Sequence, residues 1–295
     1  MRPDRAADSP APPGLDRPYE LTDEVRERFA RDGHVALPGV LAADELDYYR
    51  QAVRRAVAAN IQKQHGFEAA VAANENNWQF VDNLWTQDPE VRILVHSPRL
   101  ARIAADLMGV DRIRLFRDQS YFKGPGGAGT PWHQDGPFIP LDSEQMVTAW
   151  VAFSDMSPRN APMSYATGSH RAGFLGVSQQ GDKAMRDFET RLTGEGYPFQ
   201  TYDSLRAGDV AFHSVWTMHG TYANDAPDHR EAVVIVYFAD GARVVHDDAG
   251  GQMLPQVAHV RANNRAVSLR GLPHGAPAVT DMTPLLFDRA ADGQA

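Results

Sequence analysis

The chain has 295 residues, 43% of them hydrophobic, no cysteine and a formal net charge of −9, which sets the isoelectric point near 5.6. So acidic a chain lacks the basic face that nucleic acid or an anionic membrane requires, and without thiolates any metal must be held by histidine and carboxylate. No apolar run is long enough to cross a bilayer and the first residues carry no apolar leader segment, so the expectation is a cytoplasmic enzyme acting on a small molecule.

From the N-terminus, residues 1–18 are rich in Pro, Asp, Arg and Ala and predict a flexible arm, because so little apolar surface cannot offset the entropy of ordering. Residues 19–295 then read as one domain. Thr22 is the expected N-cap of a helix that turns Val25 and Phe29 inward and stops at Gly33, and Val35–Val40 follows as a strand. From Ala42 to about Gln62, Leu46, Tyr49, Val53 and Val57 recur at helical spacing among charges, which predicts an amphipathic helix covering a sheet. The stretch Asn74–Trp85 mixes Asn74, Asn76, Asn77 and Asn83 with Trp78, Phe80 and Trp85. It fits neither period and reads either as a pocket wall or as a surface loop with buried anchors. Ser97 followed by Pro98 opens a helix that ends at Gly109.

Arg112–Phe122 alternates, with Ile113, Leu115, Arg117, Gln119, Tyr121 and Lys123 expected on one face. The glycines of Gly124–Gly129 lead into a strand, not a helix, and so predict a turn and no phosphate cradle. Met146–Phe153 places Met146, Thr148, Trp150 and Ala152 on one face. The turn-rich stretch 155–173 contains His170, whose expected role is to bond neighbouring backbone. Residues 174–201 are charged and weakly periodic, an insertion whose length would shape access to a site. Beyond Phe238 the pattern fades, and 256–270 would pack across the core or against a partner. Short strands between Gly, Pro and Asp turns, with helices gathered near the N-terminus, predict a mainly β fold with flanking helices around a jelly-roll core.

The chemistry lies in Trp132-His-Gln-Asp-Gly136. On a strand, the period of two sends His133 and Asp135 to one face, supplying two ligands of a two-histidine, one-carboxylate site that leaves adjacent positions open on Fe(II). The third ligand comes from Gly208-Asp-Val-Ala-Phe-His-Ser-Val-Trp-Thr-Met-His219, read as a strand that ends at His219. His213 would share its face, but the His219-Gly-Thr context and the spacing to Arg230 favour His219. Arg230 is suited to pair bidentately with the far carboxylate of a chelating oxo acid. His229 would point away, and His246 with Asp247 and Asp248 belongs to a solvated turn.

With these residues in place the chain resembles the phytanoyl-CoA dioxygenase-like family of Fe(II)/2-oxoglutarate oxygenases. The resemblance rests on His133, Asp135, His219 and Arg230, framed by Pro131-Trp-His-Gln-Asp, Thr148-Ala-Trp-Val-Ala-Phe, Thr167-Gly-Ser-His-Arg and Met218-His-Gly-Thr, with Phe29-Ala-Arg-Asp-Gly-His at its start. One departure is Ala161-Pro-Met, where the family usually has Asn-Gly-Pro-Leu, which bears on the wall beside the metal. The resemblance implies a double-stranded β-helix of cupin type, Fe(II) on His133, Asp135 and His219, and 2-oxoglutarate and O2 as cosubstrates. It also implies that Thr221 assists Arg230 and that Gln119 and Trp150 line the cosubstrate pocket. A carboxylate at Asp135 argues against halogenation.

The expected reaction is oxidation of a C–H bond by hydroxylation, cyclisation, desaturation or epimerisation, as a tailoring step in secondary metabolism, with Trp132, Phe138 and Trp216 as substrate contacts or, alternatively, as core residues. An acyl-CoA or amino-acid-derived substrate is the alternative. A non-catalytic metal- or ligand-binding barrel is a rival from another class, disfavoured because a binder has no need of Arg230. Nothing in the sequence indicates an oligomeric state.

Overall fold

The computed structural model describes residues 11–60, 78–246 and 254–292. Helices α1 (Asp23–Asp32), α2 (Ala43–Asn60), α3 (Pro89–Val95) and α4 (Pro98–Met108) come early, interleaved with strands β1 (His34–Leu37) and β2 (Trp78–Asp82). Strands β3 (Arg112–Lys123), β4 (Thr130–His133), β5 (Met146–Ala152) and β6 (Ser164–Ala166) follow, and then helix α5 (Asp182–Gly194). The remainder is β7 (Phe199–Thr201), β8 (Val210–Ser214), β9 (His219–Thr221), β10 (Arg230–Ala239), helix α6 (Pro255–Val267), β11 (Leu285–Asp288) and the short helix α7 (Arg289–Asp292).

The strands form two antiparallel sheets. The larger runs β1-β8-β5-β10-β3-β11, with β2 also on β3, and the smaller runs β4-β9-β6-β7. They face each other across a shared core of Phe116, Trp150, Tyr165, Val215, Val234 and Phe238. This is the expected jelly-roll architecture, although the sheets do not close into a barrel among the described residues. The large sheet's other face packs Val147, Val151, Phe212, Val233 and Ile235 against apolar residues of α1–α4, such as Tyr49, Val53, Leu94 and Ile103. The small sheet turns Trp132, Ala166 and Met218 outward onto Met185 and Leu192 of α5.

Local chemistry accounts for the helix ends. The Thr22 hydroxyl accepts from Val25 N, and Gly33 closes α1 at φ 81°, a conformation cheap only for glycine. Ser97 caps α4 ahead of Pro98, and Gly109 ends it. Helix α5 lies in a segment read as weakly periodic. Met185 and Leu192, two turns apart, give it one buried stripe, and the Lys183–Asp187 and Arg191–Glu195 pairs support its exposed face. Pro255 at the first turn opens α6, also unforeseen, in the expected tail.

The structure differs from the sequence expectation in further places. Residues 11–18 of the expected arm are docked: Leu15 is buried, and its carbonyl and that of Arg17 accept bonds from Arg99. Residues 1–10 of that arm, Asn74, Asn76, Asn77, Asp247 and Asp248 lie outside the described residues. In β3 a register shift between Val236 and Tyr237 of its partner β10 interrupts the alternation near Phe116. A bulge of this kind flips the face. Ile113 and Leu115 therefore join the helix-packed core, while Arg117, Gln119, Tyr121 and Lys123 pair with the inward-facing Val236, Val234, Ala232 and Arg230. The strand expected to reach His219 is two strands. It turns after Ser214, so His213 on β8 belongs to the large sheet and His219 on β9 to the small one.

Candidate functional site

His133 closes β4 and His219 opens β9, and the two residues are register partners across these strands. Asp135 is not on the strand. It sits in helical conformation, φ −71° and ψ −34°, at the start of a 3-10 turn over Gly136–Phe138, and that turn brings its carboxylate back toward the imidazoles. The expected convergence occurs by a turn instead of by strand alternation. Gly136 is required there, since an added Cβ would lie 2.8 Å from the Trp216 ring. Gly220 is required next to His219, because its Cβ would meet Trp132 and the Thr130 carbonyl at 2.8 and 2.9 Å.

One ligand atom from each of His133, Asp135 and His219 lies within 4.8 Å of the others. Nδ1 of His133 is 2.7 Å from the Pro131 carbonyl and Nδ1 of His219 is 2.9 Å from the Thr217 carbonyl. Each Nδ1 therefore carries the proton it donates, which leaves the Nε2 lone pairs free and aimed at Asp135 Oδ1, 3.6 and 3.8 Å away. Burial, reinforced by His133 and His213, lowers the His219 pKa well below its ordinary value and keeps the ring neutral, the form that ligates a metal. Burial alone would push the Asp135 carboxyl up, but a proton entering the cluster goes to the surrounding His219, His133 or His213 before the carboxyl, which is held well below the usual carboxylate range and stays ionised. Two neutral imidazoles and one carboxylate form the donor set that suits Fe(II).

The second carboxylate oxygen is engaged. Thr148 on β5 donates to Asp135 Oδ2 at 2.9 Å, and His213 Nε2 lies 3.4 Å from the same atom. His213, weighed above against His219, thus stands behind the carboxylate in a fully buried position between the rings of Tyr165 and His219. Neither Thr148 nor His213 was singled out as a partner of Asp135. The inward face of β5 pointed to Thr148, but only the break after Ser214 reveals His213.

A second polar cluster lies on β10 and β3. Arg230 is buried, its Nη1 donates to the Ala161 carbonyl at 3.3 Å, its guanidinium lies 5.3 Å from the Trp150 ring centre, and its Nε has no partner. Burial brings its pKa down to about 10. Its register partner Lys123, fully buried, donates to Thr221 Oγ1 at 2.7 Å. Burial, then the charge of Arg230, lowers the Lys123 pKa well below that of an ordinary ammonium. A buried guanidinium with an unpartnered N–H beside a buried lysine is a donor set that suits a carboxylate. Lys123 was placed on the same strand face as Gln119 but given no role; period two past the bulge is the signal that finds it.

Gln119 faces the interior, where its amide donates to Asp82 and accepts from Tyr121. The departure at Ala161 has a visible consequence: Ala161 takes φ 57°, which costs an L-residue about 1 kcal/mol or more, and its carbonyl is the one Arg230 bonds. Of the aromatic residues expected at the mouth, Phe138 lies 6.1 Å from the His133 ring, and Trp216 packs on the Gly136 turn. Trp132 is turned to the far side of β4, where its indole N–H bonds the Met185 carbonyl. His229 is exposed, as expected, and His170 is near the Ala30 carbonyl at 3.3 Å. His246 contacts the Leu272 carbonyl at 2.9 Å.

Comparison with known proteins agrees with this geometry. The profile of the phytanoyl-CoA dioxygenase (PhyH) family matches residues 29–232. A methylphosphonate hydroxylase of Gimesia maris is 25% identical over 222 residues, covering 74% of this chain and 81% of that protein. Among solved structures, the epimerase SnoN in complex with Fe3+, alpha ketoglutarate and nogalamycin RO is 28% identical with a TM-score of 0.65, covering 90% of this chain and 98% of that one. The carbocyclase SnoK from nogalamycin biosynthesis, 24% identical, shares the fold with a TM-score of 0.67 over 91% of this chain and 99% of its own. The chain belongs to the phytanoyl-CoA dioxygenase family of Fe(II)/2-oxoglutarate-dependent oxygenases.

Proposed function

We propose that His133, Asp135 and His219 hold Fe(II) and that Arg230, Lys123 and Thr221 receive the distal carboxylate of 2-oxoglutarate, for oxidation of a C–H bond in a small organic substrate. The observation that carries this reading is the pairing of two sites: three ligand atoms within 4.8 Å of one another, and a buried arginine with an unpartnered Nε on the same inner face. A metal-binding barrel without turnover accounts for the first site but not the second.

Bound there, iron and 2-oxoglutarate would activate dioxygen, the four-electron oxidant: two electrons would come from the oxo acid, which would leave as succinate and CO2, and two from the substrate C–H bond. The protein's share of the work is positioning. The Pro131 and Thr217 carbonyls fix both imidazoles with Nε2 toward the metal. Thr148 engages Oδ2 of Asp135 and leaves Oδ1 to bind, so that one carboxylate takes one position and the rest stay open. Trp150 lies against the guanidinium of Arg230 and, with Gln119, lines the cosubstrate pocket, shielding its charges from water and strengthening their hold on a carboxylate.

The preferred physiological setting is a tailoring reaction of secondary metabolism, by hydroxylation or by oxidative cyclisation or epimerisation. The likeness to SnoN supports it, since that enzyme is an epimerase crystallised with a nogalamycin. Phe138 and Trp216 border the metal-ligand turn and are the substrate contacts in this reading. Anaerobic titration with Fe(II) and 2-oxoglutarate is the test. A visible charge-transfer band, followed by substrate-stimulated succinate release on admitting oxygen, is expected; a protein that binds iron but gives no band would return the binding-barrel reading.

A further inference from the structure

The inner face of the large sheet holds a third cation that neither the metal nor the cosubstrate uses. Strand register places His213, Thr148, Val236 and Arg117 in one transverse row across β8, β5, β10 and β3. Thr148 in that row bonds the proposed metal ligand Asp135. Two strand spacings put the Arg117 backbone about 10 Å from that of Thr148. Arg230, by contrast, lies six residues down β10 from Val236, where its guanidinium leans on Trp150.

Arg117 is half-buried, and no carboxylate lies within ion-pair distance of it among the described residues. Its Nη1 donates to the side-chain oxygen of Asn264 at 3.1 Å, and its buried Nε has no partner. The acid nearest in register, Asp82 on β2, sits opposite Gln119 and accepts from that amide. Asn264 in turn donates to the Phe138 carbonyl, and Arg261 on the same helix donates to those of Pro137 and Ile139. Helix α6 therefore bridges Arg117 and the ligand turn. A half-buried guanidinium with an unpartnered Nε and no carboxylate beside it gains a charge-assisted partner if an anion binds there.

Resting on the Fe(II)/2-oxoglutarate reading above, we propose that Arg117 is a substrate-recognition residue and that the substrate carries an anionic group, a carboxylate or a phosphonate-type oxyanion. The anion docks on Arg117 under helix α6, with the carbon to be oxidised lying between it and the metal. A guanidinium pairs with either oxyanion through two parallel N–H bonds, which a neutral amide does not match. Phe138 and Trp216 then contact the apolar body of the substrate.

The test uses enzyme loaded anaerobically with Fe(II) and saturating 2-oxoglutarate, so that Arg230 and Lys123 are occupied. Benzoate, phenylphosphonate and the neutral isostere benzamide are titrated by ligand-observed proton and phosphorus NMR. At least one acid is expected to bind saturably and roughly tenfold or more tighter than benzamide. Relaxation by the iron is expected to place its anionic group near the metal but outside the coordination sphere. The preferred acid distinguishes carboxylate from phosphonate recognition. Arg117→Gln should reduce the acid to the level of benzamide while leaving the chelate band unchanged, and Arg117→Lys should recover part of the difference.

Binding of neither acid, binding no better than benzamide, direct coordination to iron, or full binding in Arg117→Gln would each overturn the assignment. Loss of the chelate band in Arg117→Gln but not in Arg117→Lys would also overturn it, by making Arg117 a part of the cosubstrate pocket. Absence of the band from the parent enzyme is the separate result that removes the functional reading beneath it.

Discussion

The two faces of the large sheet are built from the same strands and do opposite things. On β5, Val147, Val151 and the following Phe153 turn outward into an apolar core shared with helices α1–α4, whereas Thr148 and Trp150 turn inward toward Asp135 and Arg230. On β8, Phe212 faces out and His213 faces in. On β10, Val233 and Ile235 face out, and the inward register leads to Arg230. The outer face holds the fold together by removing apolar area from water. The inner face spends some of that stability on buried polar groups, which are rigid because the strands carrying them are clamped from behind.

The sharpest way to break this comparison is to delete one residue from each face. Asp135→Ala should abolish the Fe(II)/2-oxoglutarate charge-transfer band and turnover, since the sole carboxylate of the cluster is gone, with secondary structure retained by circular dichroism. Phe212→Ala, fully buried on the outer face, should lower stability by about 3–5 kcal/mol in urea unfolding while leaving the band intact in whatever fraction stays folded. If Phe212→Ala erased the band in folded protein, the two faces would not be separable.

Next in size is Arg230→Gln. Removing the charged partner of a buried carboxylate costs about 3–5 kcal/mol, which predicts a loss of roughly two to four orders of magnitude in 2-oxoglutarate affinity. Iron binding, read by equilibrium dialysis without the oxo acid, should be unchanged. A parallel loss of iron would show that the two inner clusters act as one.

His34 offers a smaller test, of stability alone. It is buried on β1 between Tyr202 and Thr167, 2.8 and 3.1 Å from their hydroxyls, and burial lowers its pKa to about 4. The folded pKa lies below the unfolded value near 6.5, so the unfolded chain binds the proton first as pH falls. The contribution is therefore complete above about pH 6.5 and is lost progressively toward pH 4, about 3 kcal/mol in all. Unfolding measured from pH 7.5 down to 4.5 should show this limb, to which buried His96 also contributes, and His34→Gln should make it shallower by the His34 share.

Much of the comparison was legible in the sequence, because period two sorts β5 correctly and His-x-Asp, His219 and Arg230 carry chemical identity at fixed spacing. What escaped did so for local reasons. The bulge at Phe116 reverses the sense of β3, so Ile113 and Leu115 were grouped with residues they do not face. The turn after Ser214 moves His213 and His219 into different sheets, and alternation cannot register a change of sheet. Asp135 reached its place by a helical turn where a strand was expected, yet the outcome for the cluster was the same. Trp132 looked like a mouth residue from its neighbours, but alternation with His133 sends it to α5.

The smallest expected effect concerns Lys123, the inner-face cation that the sequence did not single out. Burial, followed by the charge of Arg230, holds its pKa well below the ordinary ammonium value in the absence of a ligand. A carboxylate arriving beside it favours the charged form and raises that pKa. The bound state therefore carries more protons than the free state wherever pH lies between the two values. 2-Oxoglutarate binding should take up a fraction of a proton, and affinity should fall as pH rises through the free-enzyme pKa. Calorimetry of anaerobic binding in two buffers of different ionisation enthalpy measures the uptake directly. Lys123→Met should remove the uptake while Arg230 still binds the oxo acid, whereas the same proton count in parent and variant would assign the proton elsewhere. An ammonium that charges fully only when its anion arrives costs the empty enzyme less than a permanent second guanidinium would, which is a physical reason for lysine beside Arg230 at this position.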